Sequence, residues 1–358
     1  MIDGKHNNKK NQLPTDSYKK AGVDIMAGND FAKTIGLMAQ KTHQPFLQTS
    51  IGGFAAVIDM AKTGFRDPLM MLSCDGVGTK LALAQRHRYF DGIGFDLVAM
   101  AVNDILVMGA KPLAFLDYYA CGKLEKPIAE KILTSISHAC VEADCVLAGG
   151  ETAEMPNFYD GGKFDLAGFV MGAIERADYD KRSAVLAGDR LIGLRSSGFH
   201  SNGFSLIRRI LDEHHIDEAG KPPYESQAEN LASDLLTPTR IYKKIFDAVG
   251  RDIKAAAHIT GGGLLDNLPR VFADNLVAYI DKKTWVMPDC FAWLQNLAGL
   301  SNETMWQSFN CGIGMVLFVA ADKVEMVLEK LKSCGEQPFL LGAMAMKKNK
   351  TDPAVVID

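Results

Sequence analysis

The sequence lacks any apolar run near the roughly 18–20 residues that a membrane-spanning helix takes. Its longest, "IGMVLFVAA" (313–321), has the length of a buried strand. A secretory signal is missing too: the opening "MIDGKHNNKKNQLPTDSYKK" is polar and has no hydrophobic centre. Cysteine is sparse and scattered. Its 7 residues (Cys74, Cys121, Cys140, Cys145, Cys290, Cys311, Cys334) form no C-x-x-C pair. That argues against a disulfide framework and a cysteine zinc site, and fits the reduced thiols of a cytoplasmic protein. Nor is positive charge in excess. With 39 Lys and Arg against 43 Asp and Glu, a formal net charge of −4 leaves no basic stripe for nucleic acid. We therefore expect a cytoplasmic globular protein with neither membrane nor nucleic acid among its partners.

What is present suits two domains: 358 residues, 47% apolar and 23% charged. Apolar runs at 53–60, 68–75, 113–121, 145–150 and 165–174 read as strands. Helices are expected at 95–109, stopped by Gly109 and Pro112, and at 126–144, with proline in the first turn. The charged, weakly periodic stretch 175–189 reads as a boundary. Beyond it come strands at 190–197, 254–260, 276–282, 313–321 and 339–346, and helices at 205–215 and 323–335. The expectation is two α+β domains of similar size.

Chemistry concentrates in a few glycine-bearing turns. "DGVGTK" (75–80) carries Gly76, Gly78, Thr79 and Lys80, residue types suited to a polyphosphate, but not in the spacing of a P-loop. Asp75 at its head would repel phosphate unless a divalent cation lay between them, and magnesium favours that mixture of carboxylate and phosphate oxygens. The helix at 95–109 offers further ligands, since Asp96 and Asn103 share one face and Asp104 flanks it. Those residues would equally serve to solubilise an amphipathic helix. In "LAGGETAEMP" (147–156), Gly149 and Gly150 allow close backbone approach to a phosphate, and Glu151 is either a metal ligand or a solvated loop charge. "RSSGFHSNGFSLIRR" (195–209) crowds Ser196, Ser197, Gly198, His200, Ser201 and Asn202 at the mouth of a helix, where an anion is favoured. "HITGGG" (258–263), with Thr260, Gly261 and Gly262, repeats that design. These residues describe an enzyme with a metal-bound polyphosphate in one domain and a phosphorylated substrate in the other.

The same motifs, together with "GFDLVAMAVND", "FLDYYACGKL", "DLAGFVMG", "LTPTRIY" and "NCGIGM", stand in the order found in phosphoribosylformylglycinamidine cyclo-ligases. The chain resembles that family from about Tyr18 onward. The resemblance implies closure of the imidazole ring of aminoimidazole ribonucleotide from formylglycinamidine ribonucleotide, with ATP and Mg2+ consumed or bound and ADP and phosphate released. It implies a leader at 1–17, an ATP- and metal-binding dimerisation domain at 18–175, and a substrate domain at 190–358. The first would be a four-stranded sheet with helices that joins its homodimer mate in a barrel, and the second a mixed sheet covered by helices. Carried onto this sequence, the metal falls to Asp75, Asp96 and Asp104. The nucleotide falls to Gly52, Gly53, Asp75, Gly76, Gly78, Thr79, Lys80, Gly149, Gly150 and Glu151. Acid–base work falls to His200 and Asp104, and the ribose phosphate to Ser197, Gly198, Ser201, Asn202, Thr260, Gly261 and Gly262. Selenophosphate synthetase is a related alternative, but it usually carries a cysteine or selenocysteine near its N-terminus, whereas the first cysteine here is Cys74.

Overall fold

The computed structural model describes residues 34–160, 162–181 and 184–358, and the expected leader at 1–17 lies outside them. The first sheet is built from β1 (Pro68–Gly76), β2 (Lys111–Cys121), β3 (Val146–Glu154) and β4 (Phe164–Glu175). Its order is β1-β4-β2-β3, with β2 and β3 parallel and the other pairs antiparallel. The connections are helical: α1 (Lys80–His87), α2 (Ile93–Val107) and α3 (Lys126–Glu142).

α2 is apolar nearly all round, so it is buried nearly all round. It packs on the sheet through Leu97 and Ile105 and against α3 at Gly94, where a Cβ would overlap the backbone of Ile136. Only glycine permits that approach. Helices cover one face of the sheet. On the other, Phe46, Leu47, Ile58, Met60 and Phe65 cover Ala114, Val146, Ala148 and Ala173. The remainder of that face is bare: Met70, Leu72, Leu116 and Phe169 are exposed, Leu72 to 78%. The register places all four on the same side.

The chain continues through α4 (Arg176–Asp180) into a six-stranded mixed sheet. Its strands are β5 (Arg190–Arg195), β6 (Ala255–His258), β7 (Leu276–Ile280), β8 (Ile313–Val319), β9 (Phe339–Met346) and β10 (Val355–Ile357), ordered β10-β7-β9-β5-β8-β6. The helices are α5 (Phe204–Glu213), α6 (Leu231–Leu235), α7 (Lys243–Val249), α8 (Gly263–Asn267), α9 (Asp289–Ala298), α10 (Asn302–Ser308) and α11 (Val324–Ser333). α7 and α11 cover one face through Ile245, Val249, Val327 and Leu331. Leu264 and Leu268 pack against the other. The buried cluster of the first sheet runs on through Phe199, Phe204 and Ile207 to Phe291 and Phe309. One buried cluster thus spans parts of both halves, while the two faces of the second sheet keep clusters of their own.

The α+β class and both sheets match expectation. The strand expected at 53–60 does not form; only an isolated bridge joins Ile58 to Leu47. Asp59 is the reason, since its carboxylate accepts from Ala61 N and caps a 3-10 turn over Met60–Lys62. The boundary stretch holds α4, tied back by Arg176 to Asp67.

Candidate active site

β1 delivers Asp75 to the end of the sheet, the loop 76–79 follows, and α1 starts at Lys80. The Asp75 carboxylate accepts from Gly76 N at 2.7 Å. Burial pushes its pKa up, and the charge of Asp104 adds to that while His258 opposes it. Asp104 reaches across from α2 to the last residue of β6, with His258 Nδ1 at 3.0 Å from Asp104 Oδ1. His258 is only 3% exposed and Asp104 46%, so the carboxylate faces outward with the imidazole behind it.

The neighbouring Asn103 fixes that imidazole. Its Oδ1 accepts from Tyr242 N at 3.1 Å and its Nδ2 donates to Arg240 O at 2.8 Å, which sets the amide orientation. The second Nδ2 proton points at His258 Nε2, 3.4 Å away. In the neutral ring the proton therefore sits on Nδ1 and is donated to Asp104. His258 was not among the expected site residues. It closes a strand just before "TGGG", and a lone histidine there has no spacing signature.

Three expected assignments, Lys80, Asp96 and His200, meet a different placement. Lys80 is wholly buried and donates to Asp96 Oδ1 (2.9 Å), His200 O (2.8 Å) and Thr237 O (2.8 Å). All three ammonium protons are used, and none faces the loop. Burial lowers the Lys80 pKa while the Asp96 charge opposes that shift. Asp96, fully buried, also accepts from Thr239 N (2.8 Å) and Thr239 Oγ1 (2.7 Å). Asp96 and Asn103 do share a face of α2, but it addresses the 237–242 segment rather than an ion. His200 is likewise buried. Its Nε2 accepts from Ser197 N at 3.2 Å, and its Nδ1 has no partner among the described residues. Burial pushes its pKa well below the usual histidine range, and the electrostatic influence of His258, Lys80 and Arg240 adds to that. An imidazole so placed stays neutral and out of reach of solvent, which does not suit the proton exchange expected of it.

Among the described residues no three His, Cys, Asp or Glu side chains cluster to hold a metal ion. Asp75 and Asp104 nonetheless lie close enough for one charge to raise the other's pKa, an arrangement a divalent cation relieves. With two carboxylates, such an ion would take its remaining ligands from phosphate and water, as magnesium does.

Gly149, Gly150 and Glu151 lie on β3, the opposite edge of the sheet from Asp75 on β1. One row of register partners runs Asp75, Gly168, Asp117, Gly150. Three strand spacings separate its ends, about 14 Å. Gly52 and Gly53 sit in an exposed loop. Gly150 must lack a side chain because the Asp117 carboxyl fills the space its Cβ would take. No side chain among the described residues donates to Asp117, and burial, then the charge of Glu151, raise its pKa from 3.8 to about 7. A raised carboxyl pKa means the folded state holds a proton that the unfolded chain releases, so stability falls as pH rises from 3.8 to about 7. Asp117→Asn removes that loss. At pH 8 it gains stability over the wild type by on the order of 4 kcal/mol, and near pH 4 the two match, as denaturant melts at both pH values will read.

The helix-mouth turn is rigidly built. Ser197 Oγ donates to Pro238 O (2.6 Å), and Ser201 Oγ lies 3.2 Å from Thr239 Oγ1. Asn202 Nδ2 is buried without a partner among the described residues, beside Gly261. Thr260, Gly261 and Gly262 form the adjoining turn, closed by Asn267 Nδ2 on Gly261 O (3.1 Å) and Gly263 O (2.8 Å). Thr79 Oγ1 lies 2.9 Å from Ser205 Oγ, so the glycine loop and the α5 mouth adjoin. A groove of about 550 Å³ along the free edge of β1 has Asp104 at its wall.

Family models for the AIR synthase related protein match both halves, the N-terminal domain over residues 52–174 and the C-terminal domain over residues 187–350. The chain belongs to the AIR synthase related proteins. It is 46% identical over 329 residues to the trifunctional purine biosynthetic protein adenosine-3 of Bos taurus, and 45% identical over 334 residues to that of Homo sapiens. These matches take in 91% and 92% of this chain but 33% of each relative, so the chain spans about a third of their length. In fold, this AIR synthase relative resembles a thiamine-monophosphate kinase from Stenotrophomonas maltophilia (TM-score 0.66, 17% identity, 90% of this chain and 94% of that one). It also resembles a hydrogenase maturation protein HypE in complex with ATP (TM-score 0.67, 17% identity, 94% and 93%).

Proposed function

We propose that this chain closes the imidazole ring of aminoimidazole ribonucleotide from formylglycinamidine ribonucleotide, with ATP converted to ADP and phosphate. The observation that carries the reading is the meeting of Asp75, Asp104 and His258 where the two halves join, in a chain whose relatives are named for purine biosynthesis. A formamide oxygen is a poor leaving group. Transfer of the terminal phosphoryl group of ATP to that oxygen makes it a good one; the amidine nitrogen then attacks the same carbon and phosphate departs. Mg2+ held by Asp75 and Asp104 would neutralise charge on the transferring group. The N–H groups of residues 77–79 and the Thr79 hydroxyl would hold phosphate oxygens. Alternatively, with Asp75 holding the ion, Asp104, oriented by His258, faces the amidine and accepts its proton. The 197–203 and 260–262 turns take the ribose phosphate at the mouth of α5. The complex of HypE with ATP, on the same fold, supports the nucleotide assignment.

The proposal includes a homodimer. The bare face with Leu72 and Phe169, and free edges at β1 and β3, suit closure of two four-stranded sheets into one barrel. Such closure sets the β3 edge of one copy beside the β1 edge of the other, bringing Gly149 and Gly150 of β3 toward Asp75. Leu72→Glu yields a monomer in sedimentation velocity and loses ATP turnover with it; a fully active monomer would remove the dimer from the proposal. The activity is tested by ADP release from purified protein. ADP that appears only with formylglycinamidine ribonucleotide supports the assignment, whereas release independent of it, or dependent on thiamine monophosphate instead, overturns it.

A further inference from the structure

The motif "NCGIGM" (310–315) leads into β8 and has no part in the proposed chemistry. Its first residue is fully buried, and both ends of its amide are engaged. Asn310 Oδ1 accepts from Ser196 Oγ at 3.0 Å and from Gly312 N at 2.8 Å. Asn310 Nδ2 donates to Gly198 O at 2.9 Å. The main chain reinforces the contact, Ser196 N donating to Gly312 O at 2.9 Å. Cys311 at φ 50° and Gly312 at φ 90° turn the backbone sharply enough to lay the amide against the end of β5.

Direction matters here more than attachment. A trans peptide is planar, so its C=O and the following N–H point in opposite directions. By capturing the Gly198 carbonyl, Asn310 turns the Phe199 N–H away from itself, and that N–H has no partner among the described residues. Without this hold, Gly198, at φ 136°, has the freedom to swing its carbonyl into the turn, where oxygen would face an anion. Lys80 holds His200 O at the far side of the same turn.

We infer that Asn310 is a positioning residue for the phosphorylated end of the substrate, acting through the Gly198 carbonyl to present the turn's N–H groups to the anion. The inference rests on the proposed ribose-phosphate site. Its test uses the whole protein, with ribose 5-phosphate as a calorimetric probe beside steady-state kinetics. Asn310→Asp keeps shape and volume but sets a carboxylate oxygen against the Gly198 carbonyl. It should weaken ribose 5-phosphate and raise KM for formylglycinamidine ribonucleotide roughly tenfold or more, with KM for ATP unchanged. Ser196→Ala removes one hydrogen bond of the brace and carries the test if the first variant fails to fold; a shift of about threefold in the same direction is expected. Wild-type affinity in Asn310→Asp, or equal rises in both KM values, overturns the inference. If ribose 5-phosphate fails to bind the wild type while the ribonucleotide still drives ADP release, the inference falls and the activity stands. If the probe binds the wild type and is lost in the variant while no ADP release occurs, the activity falls and the inference stands.

Discussion

Asp104→Asn lowers turnover by about two to four orders of magnitude, the range lost with a general base, while the melting temperature moves little because Asp104 is half exposed. Asparagine keeps the shape and still accepts a hydrogen bond from His258 Nδ1, so the imidazole keeps its place. What disappears is the charge that would steady a cationic amidine and take its proton. His258→Asn loses less, since Asp104 survives but is no longer held. His200→Asn, by contrast, acts on folding before it acts on rate: His200 is wholly buried, and its ring bonds only to Ser197 N of its own turn. Single-turnover kinetics at saturating ATP and ribonucleotide separate the three. Near wild-type turnover in Asp104→Asn would remove the carboxylate from the chemistry.

The second large effect is on stability. Asp96→Leu strands the Lys80 ammonium in a site with no exposure, and breaking one side of a buried ion pair costs about 3–5 kcal/mol. The paired replacement Lys80→Met with Asp96→Leu restores most of that loss, because neither charge then has to leave water. Urea melts of the single and double variants form the cycle. Were Asp96 a metal ligand, its loss would instead shift the Mg2+ dependence of turnover and leave the melt where it was. The burial of both groups and the two bonds from Thr239 predict the opposite pattern.

These two cases show where the sequence is readable. Long periodic segments such as α2, and alternating strands such as β1, declare themselves because local burial repeats with the period of the element. The turns at Gly78, Gly198, Gly203 and Gly262 are equally legible, since their positive φ favours glycine, whereas Gly149 and Gly150, read as a turn, lie inside β3. Lys80 was misleading for a physical reason. A lysine after "DGVGT" has the composition of a phosphate ligand, and only the arrival of residues 120 and 157 positions later, at His200 and Thr237, turns it inward. The face shared by Asp96 and Asn103 was visible in their spacing, but its partner was not, because Thr239, Arg240 and Tyr242 come from the other half of the chain. His258 escaped for the same reason: its role comes from a bond across 154 residues.

The single apolar interior that runs from Leu97 to Phe309 carries a mechanical consequence. Opening the two halves away from each other would uncover Phe199, Phe204 and Phe291, so a hinged capture of substrate carries the cost of exposing that cluster. A cover over the reacting carbon would then come from surface segments, and among the described residues the stretch around Gly52 to Phe54, with its fully uncovered phenyl ring, is one that is exposed.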